Sequence, residues 1–203
     1  NRPIIYYPIR AAKKSKIFNK IIVTTDSIKI KKVALKNGAD EVIIRPKNLS
    51  NGKSLIIDAV KHAIDTLEKN KSKIDYVCCI FPTSALLESK YLFNSFKLLK
   101  NKKKKFIFSA VKFSYPIEKS FRAKGNKIQF FKTKNSNKMT QNFDKSYHDA
   151  GQFYWGNKKS WKKEKCILSN KCGHYIMPKI NAIDIDTISD WKIAESIYKN
   201  NIK

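Results

Sequence analysis

The chain has 203 residues, 43 basic against 16 acidic, a formal net charge of +27 and 42% hydrophobic residues. That length predicts one domain with a sizeable core, and the absence of any apolar run of 18 residues argues against a transmembrane helix. Only Arg2, Arg10, Arg45 and Arg122 are arginines, and the lysines are scattered rather than gathered into a stripe, which argues against a nucleic-acid groove.

The chain opens Asn1-Arg2-Pro3-Ile4-Ile5, with neither an initiator Met nor a signal-peptide pattern, so a start inside a longer protein is expected. Residues 3–14 read as a helix with Pro3 in its first turn and a kink at Pro8. Lys20 to Thr25 is a β-branched run and a buried strand. Asp26-Ser27 then opens a helix over 27–37 that stops at Asn37-Gly38. Glu41 to Ile44 is the next strand, followed by a polar loop from Arg45 to Ser54. Leu55 to Lys69 is an amphipathic helix with Ile56, Ala59, Val60, Ala63, Ile64 and Leu67 along one side. Asp75 to Phe81 is an apolar strand ending at Pro82-Thr83-Ser84. A helix over 88–100 and a strand over 105–111 complete the regular part, with the densest lysine run, Lys102 to Lys105, in the turn between them. Helices alternating with apolar strands predict an α/β fold whose parallel sheet is covered on both faces.

The pattern changes after Val111. Residues 112–147 are polar, with Ile117–Arg122 and Lys127–Phe131 resembling a hairpin around Gly125-Asn126. Such a segment is expected to cover a site or form a dimer contact. Ala150 to Gly156 returns as a core strand, 157–163 forms a short helix, and His174 to Pro178 a further strand. Thr187 to Asn200 is the closing helix, with Trp191, Ala194, Ile197 and Tyr198 facing inward. Cys78 and Cys79 read as core thiols. Cys166, Cys172 and His174 match no common zinc spacing, so free thiols in a reducing cytoplasm are expected.

Chemistry is expected outside the carboxyl ends of the strands. Four polar clusters fall there: Thr24-Thr25-Asp26, Arg45 with Ser50 to Ser54, Pro82-Thr83-Ser84, and the pair Asp184/Asp186. In an extended segment Asp184 and Asp186 project to the same side, with Ile183 and Ile185 on the other. Neighbouring carboxylates repel unless a cation lies between them, and Mg²⁺ held by the pair and by substrate phosphates would remove that repulsion. The alternative is a solvated strand end with Asp186 or Thr187 capping the next helix. Arg45 is open to a carbonyl or a phosphate, or to a plain surface role. Lys53 and Ser54, after Gly52, precede a helix N-terminus that favours an anion. Gln152 and Tyr154 share one side of their strand, whereas Phe153 and Trp155 read as sheet packing.

Ile21-Ile22-Val23-Thr24-Thr25-Asp26-Ser27, Gly38-Ala39-Asp40, Arg45-Pro46, Leu49-Ser50 and Phe81-Pro82-Thr83-Ser84 together resemble the cytidylyltransferases that activate nine-carbon acidic sugars. Tyr147 to Gly156 is similar to a segment of their pseudaminic acid branch, and Asp184-Ile185-Asp186-Thr187 with Asp190-Trp191 to their closing metal motif. The resemblance spans the chain in order. It implies a Rossmann-like three-layer α/β/α nucleotidyltransferase fold with a mostly parallel sheet, in a single domain over 1–203 with residues 112–147 as a lid or dimerisation insertion. It also implies that a first strand and a Gly/Arg/Lys-rich triphosphate loop precede Asn1.

The implied reaction moves CMP from CTP to the anomeric hydroxyl of an acidic sugar, pseudaminic acid first and N-acylneuraminate as the alternative, and releases pyrophosphate. Positioning and electrostatics would supply most of the catalysis. The resemblance assigns Asp184 and Asp186 as Mg²⁺ ligands. Asp149 or His148 is the proton acceptor if one is used, and otherwise makes a structural hydrogen bond near the sugar. Thr25, Asp26, Arg45, Lys53 and Ser54 would face the nucleotide; Thr83, Ser84, His148, Gln152 and Tyr154 would face the sugar. Phe81 stands where many relatives carry Gln. A cytoplasmic homodimer with no nucleic-acid or membrane partner is expected. A Lys-rich nucleic-acid-binding module is the reading from another class.

Overall fold

A computed structural model describes residues 2–101, 104–131 and 138–201. Lys102 and Lys103 of the lysine run, and residues 132–137 of the expected insertion, lie outside the described residues.

The first helix, α1, spans Tyr6–Ser15, later than expected. Pro3 lies before it and accepts the Tyr6 N–H at 3.0 Å. Pro8 falls in the first turn, where a helix has no internal acceptor for its N–H groups, so the ring removes no bond and causes no kink. β1 (Ile22–Thr25) and β2 (Glu41–Ile44) pair in parallel, from Ile22 opposite Glu41 to Thr25 opposite Ile44. Between them α2 (Ile28–Lys36) starts at Ser27, whose side chain accepts the Ile30 N–H. It ends before Gly38, which holds φ at 100°, a conformation that favours glycine.

α3 (Ile56–Lys69), β3 (Tyr76–Ile80), α4 (Ser89–Asn101) and β4 (Phe106–Lys112) follow within a residue of their expected places. The hairpin forms as β5 (Phe121–Lys124) and β6 (Lys127–Phe130), joined at Gly125-Asn126. It stands as its own two-stranded sheet. β7 (Tyr147–Asn157) is longer than expected and inserts between β3 and β4, antiparallel to both, while β8 (Gly173–Ile176) pairs in parallel with the other side of β4. The direction of β7 has a simple cause. A parallel return from β4 needs a crossover, usually a helix, and the described part of residues 113–146 contains no α-helix. The chain therefore doubles back.

Three layers result. Against one face of the central sheet, Ala11 and Ala12 of α1 and Leu92 and Leu99 of α4 cover Ile107, Phe153 and Trp155. Against the other, Ile57, Val60 and Ile64 of α3 and Trp161 of α5 (Lys158–Lys163) cover Phe106 and Tyr154. Trp155, Trp161, Phe106 and Phe153 are buried below 2% exposure, and burying a large apolar side chain is worth about 1.5–3 kcal/mol or more. Gly156 makes this packing possible: a Cβ there would stand 2.7 Å from the Phe106 ring and 2.8 Å from Trp161 Nε1.

The closing helix α6 (Ile188–Asn201) departs from its expected stripe. Ala194 is buried, and Tyr198 meets Tyr7 edge-on at 4.9 Å, but Trp191 is 47% exposed. Contact with the body is made by the later turns, so the first turn carries Trp191 into solvent.

Candidate active site

The ends of β1 and β2 are joined where the Arg45 N–H donates to the Thr25 carbonyl at 2.8 Å. Thr25 is buried, its Oγ1 accepting the Ser27 N–H at 3.2 Å, and Asp26 stands exposed beside it. Arg45 Nε is buried with no partner among the described residues. Burial pushes the Cys79 thiol up to about 12 while the Arg45 charge pulls it the other way, so the guanidinium lies beside β3 with a donor unused. Lys53 and Ser54 belong to a locally closed loop: the Ser54 hydroxyl donates to the Asn48 carbonyl at 2.9 Å and to Asn51 Oδ1 at 3.0 Å.

The second cluster is built by an irregularity in β7. Its register against β4 jumps from Phe108 opposite Tyr154 to Ala110 opposite Asp149, so Ser109 alone faces residues 150–153. Ser109 Oγ accepts both the Gln152 and the Phe153 N–H, each at 3.1 Å. Gly151 takes φ at 60° in the bulge. Asp149 closes it from the other side, with Oδ1 accepting the Gly151 N–H at 3.0 Å and Oδ2 accepting the Tyr154 hydroxyl. Burial first, and the Asp149 carboxylate second, raise the Tyr154 pKa. The loop after β3 is fastened to the same bulge, since the Phe81 N–H and the Ser84 hydroxyl both donate to the Gln152 carbonyl at 3.0 Å.

The acidic segment is anchored by Asn181, which is buried. Its amide donates to the Leu86 carbonyl at 3.1 Å and to Glu88 Oε1 at 3.2 Å, and its Oδ1 accepts the Tyr91 hydroxyl at 3.0 Å. From there Ile183 and Ile185 turn inward while Asp184 and Asp186 are exposed, the alternation expected of extended chain although the segment joins no sheet. Helix capping falls to Thr187: its Oγ1 accepts the Asp190 N–H at 3.2 Å, and Asp190 Oδ2 accepts the Thr187 N–H at 2.8 Å. Asp184 and Asp186 are left without that duty.

Partial desolvation raises the Asp184 pKa, and the charges of Asp186, Asp190 and Asp149 add to it. Among the described residues no Lys or Arg forms an ion pair with Asp184 or Asp186, in a chain with 43 basic residues. Nor do those residues bring three or more His, Cys, Asp or Glu into a metal-binding group. The donor set therefore suits a hard divalent ion that takes two carboxylates here and the rest of its oxygens from phosphates and water.

The structure thus gathers Asp149, Gly151, Gln152 and Tyr154 around Asp184, with Ser84 hydrogen-bonded to the Gln152 carbonyl. Thr25, Asp26 and Arg45 lie together at the ends of β1 and β2, where the Arg45 charge reaches Cys79 of β3. Ser84 (0% exposed) and Gln152 (1%), expected to face the sugar, both lie below the surface and make hydrogen bonds within the protein. Tyr154 is 6% exposed, its hydroxyl given to Asp149. Thr83 is half-buried, and His148 is exposed, with Nδ1 donating to the Asp149 carbonyl at 2.8 Å and its ring 4.5 Å from Phe113. Sequence reasoning missed Ser109 and Asn181. A lone hydroxyl inside the apolar run Phe106-Ile107-Phe108-Ser109-Ala110-Val111 is a signal for the first; nothing marked the second.

Compared with known proteins, residues 1–177 match the family described as Cytidylyltransferase. The pseudaminic acid cytidylyltransferase of Campylobacter jejuni subsp. jejuni serotype O:23/36 (strain 81-176) is 35% identical over 201 residues, 98% of this chain and 87% of that protein. The N-acylneuraminate cytidylyltransferase of Escherichia coli O18:K1:H7 is 28% identical over 98% of this chain and 46% of its own length. A solved CMP:2-keto-3-deoxy-manno-octonic acid synthetase complexed with CTP shares the fold, with a TM-score of 0.69 and 8% identity over 98% of this chain and 89% of that one.

Proposed function

The chain belongs to the cytidylyltransferase family, and from that premise we propose that it transfers CMP from CTP to the anomeric hydroxyl of pseudaminic acid, releasing pyrophosphate. The observation that carries the reading is the outward-facing pair Asp184/Asp186 beside Asp149, with no ion-pair partner among the described residues.

Asp184 and Asp186 would hold a divalent cation, Mg²⁺ in this reading, which would neutralise charge on the phosphates and on the attacking oxygen. The chain's own residues do the remaining work. Arg45 offers its unused Nε–H and the rest of its fork to the nucleotide's carbonyl or phosphate oxygens. Thr25 and Asp26 shape the wall beside it. Lys53 supplies positive charge from the loop that leads into α3. Asp149 keeps lone pairs beyond the two it uses for Gly151 and Tyr154, and takes the proton of the acceptor hydroxyl. His148 and Thr83 are the accessible polar groups for the sugar, together with the exposed Tyr147.

Pseudaminate is favoured over N-acylneuraminate by the 35% relative, which this chain matches over most of its length. Pyrophosphate release from CTP, measured with each sugar, tests this; equal turnover of N-acetylneuraminate and pseudaminate removes the preference. Changing both Asp184 and Asp186 to Ala should lower turnover at least about 100-fold, and full activity of that variant would sink the metal assignment.

The reading includes a homodimer formed through the β5–β6 arm, where Phe121 is 50% and Ile128 59% exposed on a hairpin that is marginal alone in water. It also includes a cytoplasmic location, which supplies CTP and suits four free thiols. No helix of the described residues is long and apolar enough to cross a membrane.

A further inference from the structure

Gln152 is among the most deeply buried polar side chains in the protein, at 1% exposure, and no step of the reaction uses it. Its Nε2 donates to the Ala150 carbonyl at 3.1 Å and, over a longer 3.4 Å, to the Ile183 carbonyl. Ile183 is the residue before Asp184. The amide orientation follows from these partners, because the flipped rotamer would set its oxygen against two carbonyls. The amide oxygen Oε1, in contrast, is buried with no partner among the described residues. A buried acceptor without a donor costs stability and offsets part of what the two donated bonds contribute. A polar residue kept in such a position calls for a reason outside packing.

The surroundings supply that reason. The Gln152 main chain is held at three points: its N–H on Ser109 Oγ, and its carbonyl under both the Phe81 N–H and the Ser84 hydroxyl. The bulge is thus fixed relative to β3 and β4, and the Gln152 side chain reaches from it to the acidic segment. Beside it, a Cβ placed on Gly151 would lie 3.8 Å from Asp184 Oδ2, so the bulge backbone also approaches the carboxylate itself. Nothing in the sheet ladder holds residues 182–187. Their position depends on Asn181 at one end, the Thr187–Asp190 cap at the other, and Gln152 in the middle.

We propose that Gln152 is a positioning residue: its amide fixes Ile183 so that Asp184 meets the divalent cation, at a cost in fold stability set by the unpartnered Oε1. The proposal rests on the reading of Asp184 and Asp186 as cation ligands.

Gln152→Met tests it. The variant keeps length and volume, and removes both the donor to Ile183 and the orphaned acceptor. Two quantities are compared with the wild-type chain: Mn²⁺ affinity in the presence of CTP, followed by the electron paramagnetic resonance of free Mn²⁺, and the thermal unfolding midpoint. The expected result is about tenfold weaker Mn²⁺ binding, the scale of losses seen when a group behind a metal ligand is changed, with a midpoint equal to or above wild type. The half-saturating metal concentration for turnover should rise by the same factor while the KM for CTP stays within about twofold, a split that a packing role would not produce. Gln152→Glu, which turns the donor into an acceptor facing two carbonyls, should weaken Mn²⁺ binding as well, but with a lower midpoint.

Unchanged Mn²⁺ affinity in Gln152→Met overturns the proposal. So does a collapse of the fold in that variant, which would make Gln152 a stabilising residue. A wild-type chain that binds Mn²⁺ with CTP but releases no pyrophosphate with either sugar removes the substrate reading and leaves the binding comparison standing. A wild-type chain that binds no Mn²⁺ sinks the cation reading and this proposal together.

Discussion

Arg45 shows how one side chain can be prepared for a partner. Its backbone is tied to Thr25 and its Nε is shut away from water, yet that donor meets no acceptor within the described residues. Lysine at this position keeps the charge but loses the planar fork. Arg45→Lys should therefore raise the KM for CTP by about tenfold, the worth of a charge-assisted bond, with little change in the unfolding midpoint. Initial rates against CTP concentration check it, and an unchanged KM would return Arg45 to a surface role.

The paired thiols of β3 make a different kind of statement. Burial raises Cys78 well above its ordinary value and pushes Cys79 up to about 12. At neutral pH both are uncharged whether the chain is folded or not. Above about 9 the unfolded chain ionises while the folded chain cannot, so the stability of the neutral buried pair is complete below that pH and is lost as pH rises toward about 12. Urea midpoints measured across this range should fall for the wild-type chain and fall less for Cys79→Ala. Equal slopes would show that other groups govern alkaline unfolding.

At the level of elements, β7 carries the most information. Its far end packs against α5 only because Gly156 lacks a side chain where the Phe106 and Trp161 rings converge. Gly156→Ala forces two fully buried aromatic rings to move, and should destabilise the fold by about 1–3 kcal/mol, read as a lower urea midpoint at unchanged slope. A wild-type midpoint would mean that the rings have room to shift.

The bulge at the near end of β7 was not legible beforehand. Ala150 to Gly156 reads as a plain strand, and its alternation puts Gln152 and Tyr154 on one side. The bulge exists because Ser109 of β4 accepts two successive N–H groups and Gly151 tolerates a positive φ, and only the first of these lies outside β7. The regular elements were easier. β2 falls on its expected residues, and α3, β3 and α4 within one, because strong apolar periodicity is a local property. In α6, Ala194, Ile197 and Tyr198 turn inward as expected and Trp191 does not, because how far a terminal helix stays against the body depends on where the body ends, and its own pattern does not record that.

For the molecule as a whole, the hairpin arm sets the prediction. Phe121 and Ile128, on a sheet separate from the central one, and Phe131 just after it are all at least half exposed. If a second copy covers them, the double variant Phe121→Ser/Ile128→Ser should sediment as a monomer under conditions where the wild-type chain is a dimer. An unaltered sedimentation coefficient would remove the arm from the interface. The charge of +27 favours a weak association at low salt that tightens as salt screens the repulsion.

Composition, periodicity and a handful of short motifs by themselves determined the alternating helices and strands, the hairpin, and the outward projection of Asp184 and Asp186, because each depends on residues within a turn or a strand of one another. Only the tertiary structure decided that β7 runs antiparallel between β3 and β4, and that Asp149, Gly151 and Gln152 close around Asp184. The bonds that place them join residues as far apart as Ser109 and Phe153, or Gln152 and Ile183. Such partners are chosen by the packing of the whole sheet, and no spacing along the chain encodes them.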